Sequence, residues 1–96
     1  MRVILTKLPV GMKHKYKVTL PAGETVRFGA QGYSDYTIHR DANRMKRYLS
    51  RHRARENWTR GGVGTAGWWS RWLLWSEPGL SEAKRLIYRK FNIKIV

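Results

Sequence analysis

The sequence predicts an α+β fold in which an N-terminal β-hairpin packs against two or three helices around a tryptophan-rich core. Alternating apolar and polar residues in the first third of the chain are typical of strands, whereas later segments repeat apolar residues at helical spacing. Five tryptophans supply large side chains for a small core. With 96 residues, the chain is long enough for one domain, residues 1–96.

A β-hairpin is predicted near the N-terminus. Residues 15–20 and 25–28 each alternate apolar with polar side chains, which gives each strand one apolar face. The turn between them contains proline and glycine, which favour tight turns. A third strand is predicted at residues 3–5. The outer face of the hairpin should be basic, because it carries Lys15, Lys17 and Arg27.

The segment after the hairpin, residues 29–41, is predicted to be a connector. Its glycines interrupt the strand pattern. Three apolar or aromatic side chains are expected to dock this connector on the core, namely Tyr33, Tyr36 and Ile38.

A first helix is predicted over residues 42–56. Asp41 is a suitable N-cap, because its carboxylate can accept hydrogen bonds from the first turn and suits the helix dipole. Basic residues recur every three or four positions and therefore line one edge of the helix: Arg44, Arg47, Arg51 and Arg55. A neighbouring buried stripe is formed by Met45, Tyr48, Leu49 and His52.

Two further helices and a closing strand are predicted in the second half. Thr65 can cap a helix through residue 75, and Ser81 can cap another through about residue 90. Residues 91–96 alternate again and are a candidate strand. The residues expected to be mostly buried are Trp69, Trp72, Leu73, Ile87 and Phe91.

The charge of the chain indicates an acidic partner. Lys and Arg number 20 against 6 Asp and Glu, a formal net charge of +14. Such self-repulsion opposes compaction, and a counter-charged partner relieves it. The chain has no cysteine, so neither a disulfide nor a thiolate metal site is available. No apolar run approaches the roughly 20 residues of a membrane span.

The sequence contains no recognisable catalytic constellation. Its three histidines are scattered, without the clustered ligands that a zinc site requires. The carboxylates are dispersed, and no nucleophile elbow or phosphate-binding loop is present. We therefore predict that the protein is not an enzyme, with no catalytic residue, metal, cofactor or small-molecule substrate.

The arginine-rich helix is the strongest candidate for binding. Residues 40–55 contain seven Lys or Arg residues opposed only by Asp41, and arginine suits phosphates and carboxylates. A merely solvated helix face is the alternative. The tryptophans could stack on single-stranded bases, but their helical spacing favours a core. The predicted binding residues for nucleic acid or an acidic partner are Arg44, Arg47, Arg51, Arg55, Lys15, Lys17 and Arg27.

The motifs of the chain resemble a family of small basic uncharacterised proteins encoded by nucleocytoplasmic large DNA viruses, such as phycodnaviruses and mimiviruses. The resemblance covers roughly residues 15–96. It rests on His39, Asp41 and the segments 15–21, 26–29, 33–37, 47–52, 55–58, 65–67, 70–75 and 91–95. It differs from the family pattern in having Trp68 and a more glycine-rich stretch at residues 60–64.

The resemblance implies a viral setting but no activity. Together with the charge, it leads us to expect a small basic virion structural protein, of the minor capsid or cement type, that bridges acidic surfaces of larger virion proteins. Packaged DNA is a further candidate partner. The expected location is the virion, and the host cell interior during assembly. The alternative is a nucleic-acid-binding protein that uses the arginine-lined helix without sequence preference.

Overall fold

Four strands form one mixed sheet in the computed structural model, which describes all 96 residues. The strands are β1 (Arg2–Lys7), β2 (His14–Thr19), β3 (Thr25–Ala30) and β4 (Lys94–Ile95). The order across the sheet is β3-β2-β1-β4, with antiparallel β1–β2 and β2–β3 pairs and a parallel β1–β4 pair. The predicted hairpin and third strand are therefore confirmed.

The hairpin follows from its alternating pattern. Val18, Val26 and Phe28 are buried on one face, so the intervening residues face away from the core. Near the end of β3, Gly29 has a φ of +74°, and a Cβ atom there would lie 2.9 Å from Leu74 Cδ1. Only glycine combines this backbone conformation with such close packing.

The helices cover the buried face of the sheet. The α-helices are α1 (Tyr36–His39), α2 (Ala42–His52), α3 (Ala66–Trp69) and α4 (Leu80–Phe91). α3 continues into a π-helical turn at Ser70–Leu74, which the sequence did not predict. A 3₁₀ turn follows α2 at Arg53–Arg55, and another lies at Arg60–Gly62.

Aromatic rings dominate the core. Phe91 packs edge-on against Trp68 and Trp72, with ring centroids 5.0 and 5.1 Å apart, and Trp69 lies 6.1 Å from Phe28 of the sheet. The prediction of an α+β fold with a tryptophan-rich core is confirmed, and so is the burial of all five predicted core residues: Trp69, Trp72, Leu73, Ile87 and Phe91.

The first helix is shorter than predicted. α2 ends at His52, because the chain tightens into the 3₁₀ turn and then becomes extended at Glu56 (φ −129°, ψ 145°). The Glu56 carboxylate lies 3.0 Å from His52 Nδ1 and accepts a hydrogen bond from the indole of Trp58 at 2.9 Å. These contacts turn the chain away from the helix axis, so Arg55 lies beyond the α-helix.

Two local predictions were wrong. Tyr33 and Ile38 are exposed (73% and 61%) and do not dock the connector. Asp35 is buried instead, where its carboxylate caps α1 by accepting the Thr37 N–H at 2.9 Å. The N-cap of α4 is Gly79 and not Ser81, because the chain is already extended at Gly79 (φ −132°, ψ 145°) and turns into the helix directly afterwards.

Candidate basic interfaces

Most cationic side chains of this protein have no acidic partner. Among the 20 Lys and Arg residues, only Lys15 and Arg85 lie within salt-bridge distance of a side-chain carboxylate. The Arg85–Glu82 pair is exposed and spans 3.8 Å, a geometry that contributes little. The positive charge therefore remains available at the surface.

Asp41 fixes the start of α2 and thereby the positions of its arginines. Its Oδ1 atom accepts hydrogen bonds from the backbone N–H groups of Arg44 and Asn43, at 3.3 and 3.0 Å. The Arg44 N–H bond, chiefly, holds the pKa of Asp41 below its ordinary value. The predicted N-cap is confirmed. The arginines that follow are all exposed: Arg44, Arg47 and Arg51 in α2, and Arg55 in the 3₁₀ turn.

A cleft of about 480 Å³ lies between α2 and the ends of β2 and β3. Arg44, Arg51 and Tyr33 are its exposed lining residues with polar or aromatic side chains, whereas Tyr48 and Asp35 in its lining are buried. The cleft thus combines guanidinium groups, an exposed phenol ring and an aromatic wall. We call it the α2 cleft.

The wall of the α2 cleft is a stack of rings. Tyr48 lies parallel to Trp75, with centroids 4.2 Å apart, and its ring also stacks with His52 at 4.1 Å. Burial, with a smaller contribution from the Glu56 carboxylate, raises the pKa of Tyr48 well above its ordinary value. Because neighbours cover both faces of the Tyr48 ring, this wall is pre-formed and offers no Tyr48 face for base stacking.

Lys15 does not lie on the outer face where the alternation predicted it. Its Nζ is 2.8 Å from Asp35 Oδ2, the two side chains are 13% and 3% exposed, and Lys15 lines the α2 cleft. A buried carboxylate requires a counter-charge, and Lys15 is the cation within reach. Lys15 is therefore a structural residue of the cleft.

Lys17 and Arg27 lie on the other side of the molecule from the arginines of the α2 cleft. They are directly opposite each other in the β2–β3 register, on the face that points away from Phe28 and the helices. The structure therefore separates the predicted binding residues into two surfaces. We call the second surface the open sheet face, formed by Arg2, Ile4, Thr6, Lys17, Thr19, Thr25, Arg27 and Lys94.

A third basic surface was not predicted. A groove of about 500 Å³ runs between α4 and β4, with the ring of Tyr88 55% exposed beside it. Its cations come from α4 and from the edge strand β4: Lys84, Arg85, Arg89 and Lys94. The i, i+4 spacing of Arg85 and Arg89 could have indicated a basic edge of α4. We call this surface the α4 groove.

No cluster of three or more His, Asp or Glu side chains is arranged to hold a metal ion. None of the helices combines the length and the apolar character that a membrane crossing requires.

Comparison with known proteins identifies a family but no activity. Neither the curated proteins nor the solved structures contain a significant match to the chain. One family model, described as "Family of unknown function (DUF5754)", matches residues 3–52. This match covers just over half of the chain, from β1 to the end of α2, and so includes the hairpin and the arginines of the α2 cleft. The chain belongs to this family, DUF5754.

Proposed function

We propose that the chain is a small structural protein of a large-DNA-virus particle, where it bridges acidic surfaces of larger virion proteins. The observation that carries the proposal is the composition of the α2 cleft. Exposed Arg44 and Arg51 lie beside exposed Tyr33 and the stacked wall of Tyr48 and Trp75. Arginine and tyrosine are enriched at protein–protein interfaces, where they bind carboxylates and supply contact area.

The separation of the basic surfaces supports a bridging role. The α2 cleft lies beside the end of edge strand β3, whereas the α4 groove includes β4 at the opposite edge of the sheet. The accessible surface is 5970 Å², and a standard interface buries about 800 Å² per partner. Two acidic partners can therefore be bound at the same time.

The viral setting is supported by the resemblance of residues 15–96 to proteins of large DNA viruses. Most Lys and Arg side chains have no carboxylate partner within the chain. This supports the proposal that their acidic partners belong to other molecules. A basic body 36 × 32 × 25 Å in extent is suited to filling a gap between larger subunits.

Charge reversal in the α2 cleft should prevent incorporation into particles. In Arg44→Glu/Arg51→Glu, two guanidinium groups become carboxylates that repel an acidic partner, and we expect at least a tenfold loss from purified particles. The measurement is quantitative proteomics of particles produced with tagged variants. The matched control is Lys7→Glu/Lys13→Glu, which makes the same charge change at exposed residues outside the cleft. Equal incorporation of the cleft variant and the control would contradict the proposal.

Nucleic-acid binding by the arginines of α2 is the second candidate function. The observation that favours it is the exposure of Arg47 and Arg55, which do not line the α2 cleft and remain reachable by an extended polyanion. Such binding would be mainly to phosphates and indifferent to sequence.

The salt dependence of duplex binding tests this second candidate. Four engaged arginines predict a slope of about −3.6 for log K against log salt concentration, since each neutralised phosphate contributes about −0.9. Arg44→Gln/Arg47→Gln should then about halve the slope. The measurement is a titration of a random duplex at several salt concentrations. If the slope does not change in this variant, the α2 arginines do not bind the phosphates.

A further inference from the structure

We infer that the open sheet face is a separate binding site for the phosphate backbone of double-stranded nucleic acid. This inference concerns a surface on the other side of the sheet from the α2 cleft, and it does not depend on the proposed virion role. A protein with both sites could hold a duplex on one side and an acidic protein on the other.

Like charges lie directly opposite each other on this face. Lys17 pairs in register with Arg27 across β2 and β3, and Arg2 pairs with Lys94 across β1 and β4. Directly opposite like charges destabilise a sheet, and none of the four strands contains an acidic residue that could offset the repulsion. An external anion would remove the repulsion at both pairs.

The chemistry between the two cationic pairs fits a phosphate backbone. The register places Thr6, Thr19 and Thr25 on the same face, and threonine hydroxyls join Lys and Arg as the usual ligands of nucleic-acid phosphates. No aromatic ring is among the residues of this face. Single-stranded nucleic acid is normally held by stacking on aromatic rings, so a duplex is the better occupant.

The spacing of the two pairs matches the scale of a duplex. Lys17 is opposite Thr6 in the β1–β2 register, and Arg2 lies four residues farther along β1, which is about 13 Å at strand spacing. The two pairs are also displaced by two strands across the sheet, about 10 Å, so their centres lie roughly 16 Å apart. The major groove of B-form DNA is about 12 Å wide. Because lysine and arginine side chains are long and flexible, one cationic pair can contact each of the two backbones that flank a groove.

The α2 cleft has a different chemistry. It contains the buried Asp35 carboxylate and the exposed ring of Tyr33. The open sheet face has neither feature. The two sites can therefore be tested with separate variants.

The first test compares two double variants in a titration of a random duplex at several salt concentrations. In Lys17→Gln/Arg27→Gln we expect the slope of log K against log salt concentration to become shallower by about 1.8, which is two phosphate contacts at about 0.9 each. Lys7→Gln/Lys13→Gln removes the same charge from exposed residues that belong neither to the open sheet face nor to α2, and it should leave the slope unchanged. The inference would be overturned if the slope became shallower equally in both variants or only in the second variant. It would also be overturned if the native protein bound no duplex near 50 mM salt.

The second test separates binding from folding. Lys17→Glu places a carboxylate opposite Arg27, so it should raise the melting temperature while lowering the affinity for duplex at least tenfold. A loss of function through unfolding would lower both quantities. Unchanged affinity would overturn the inference. Poly-glutamate serves as a probe for an acidic protein partner. If it bound the native protein more tightly than a duplex of equal charge does, and lost that affinity in Lys17→Glu, the face would be assigned to an acidic protein and the inference would be overturned.

Discussion

Replacing Trp72 with alanine is expected to lower the free energy of unfolding by about 3–5 kcal/mol, enough to unfold much of a domain this small. Trp72 is 8% exposed and packs against the rings of Trp68 and Phe91. Its indole donates a hydrogen bond to the carbonyl of Trp58 at 2.9 Å, and the guanidinium of Arg71 lies 4.2 Å from its ring centroid. The substitution would leave a cavity and remove these contacts together.

Urea or thermal denaturation measures this effect. The control is Tyr88→Ala, which truncates an aromatic side chain that is 55% exposed and should change stability little. If the Trp72→Ala variant melted as high as the native protein, the aromatic cluster would not be the source of stability.

The Asp35→Ala variant is expected to lose about 3 kcal/mol of stability, because breaking a buried ion pair leaves an uncompensated charge. The Asp35 carboxylate pairs with Lys15 at 2.8 Å and accepts the Thr37 N–H at 2.9 Å. Its loss would leave the Lys15 ammonium, whose side chain is 13% exposed, without a partner in the α2 cleft. It would also remove the N-cap of α1.

A second variant identifies the cause. Lys15→Met/Asp35→Ala removes both charges and should recover part of the stability lost in the single variant, because no charge then remains unpaired. Chemical denaturation of the native protein and both variants gives the comparison. If the double variant were less stable than Asp35→Ala by the full cost of a second lesion, the ion pair would not explain the effect.

Strand and helix periodicity explains why much of the fold was predictable. Buried Val18, Val26 and Phe28 alternate with polar residues, a pattern that only a strand can place on one face. Asp41 precedes α2 as a cap whose hydrogen bonds are local, between residues two and three positions apart. Such patterns arise from residues that are close in sequence, so they can be predicted without knowing the rest of the structure.

The parts that could not be predicted depend on contacts distant in sequence. Lys15 leaves the outer face to pair with Asp35, 20 residues away. The stacking of Trp75 on Tyr48 defines the wall of the α2 cleft. Tyr48 belongs to α2, whereas Trp75 directly follows the π-helical turn, 27 residues later in the chain. Periodicity predicts which face of its own element a residue lies on, but it carries no information about contacts between side chains of different elements.

In the candidate site, too, the features set within one element were predictable, whereas those set by the packing of several elements were not. The spacing of Arg44, Arg47 and Arg51 predicted a shared helix edge, and these residues are exposed in α2. Their separation from Lys17 and Arg27 depends on how the helices cover the sheet, which spacing does not encode. The α4 groove was missed for a related reason, because it is formed only when β4 pairs with β1 beside α4.

The copy number of this protein in purified virus particles tests the central claim most directly. A bridging structural protein should be present at a fixed ratio to the major capsid protein in every preparation. It should also form cross-links from Lys46, an exposed residue of α2, to acidic segments of larger virion proteins. Quantitative proteomics with cross-linking provides both results. Absence from purified particles, or a ratio that varies freely between preparations, would contradict the account.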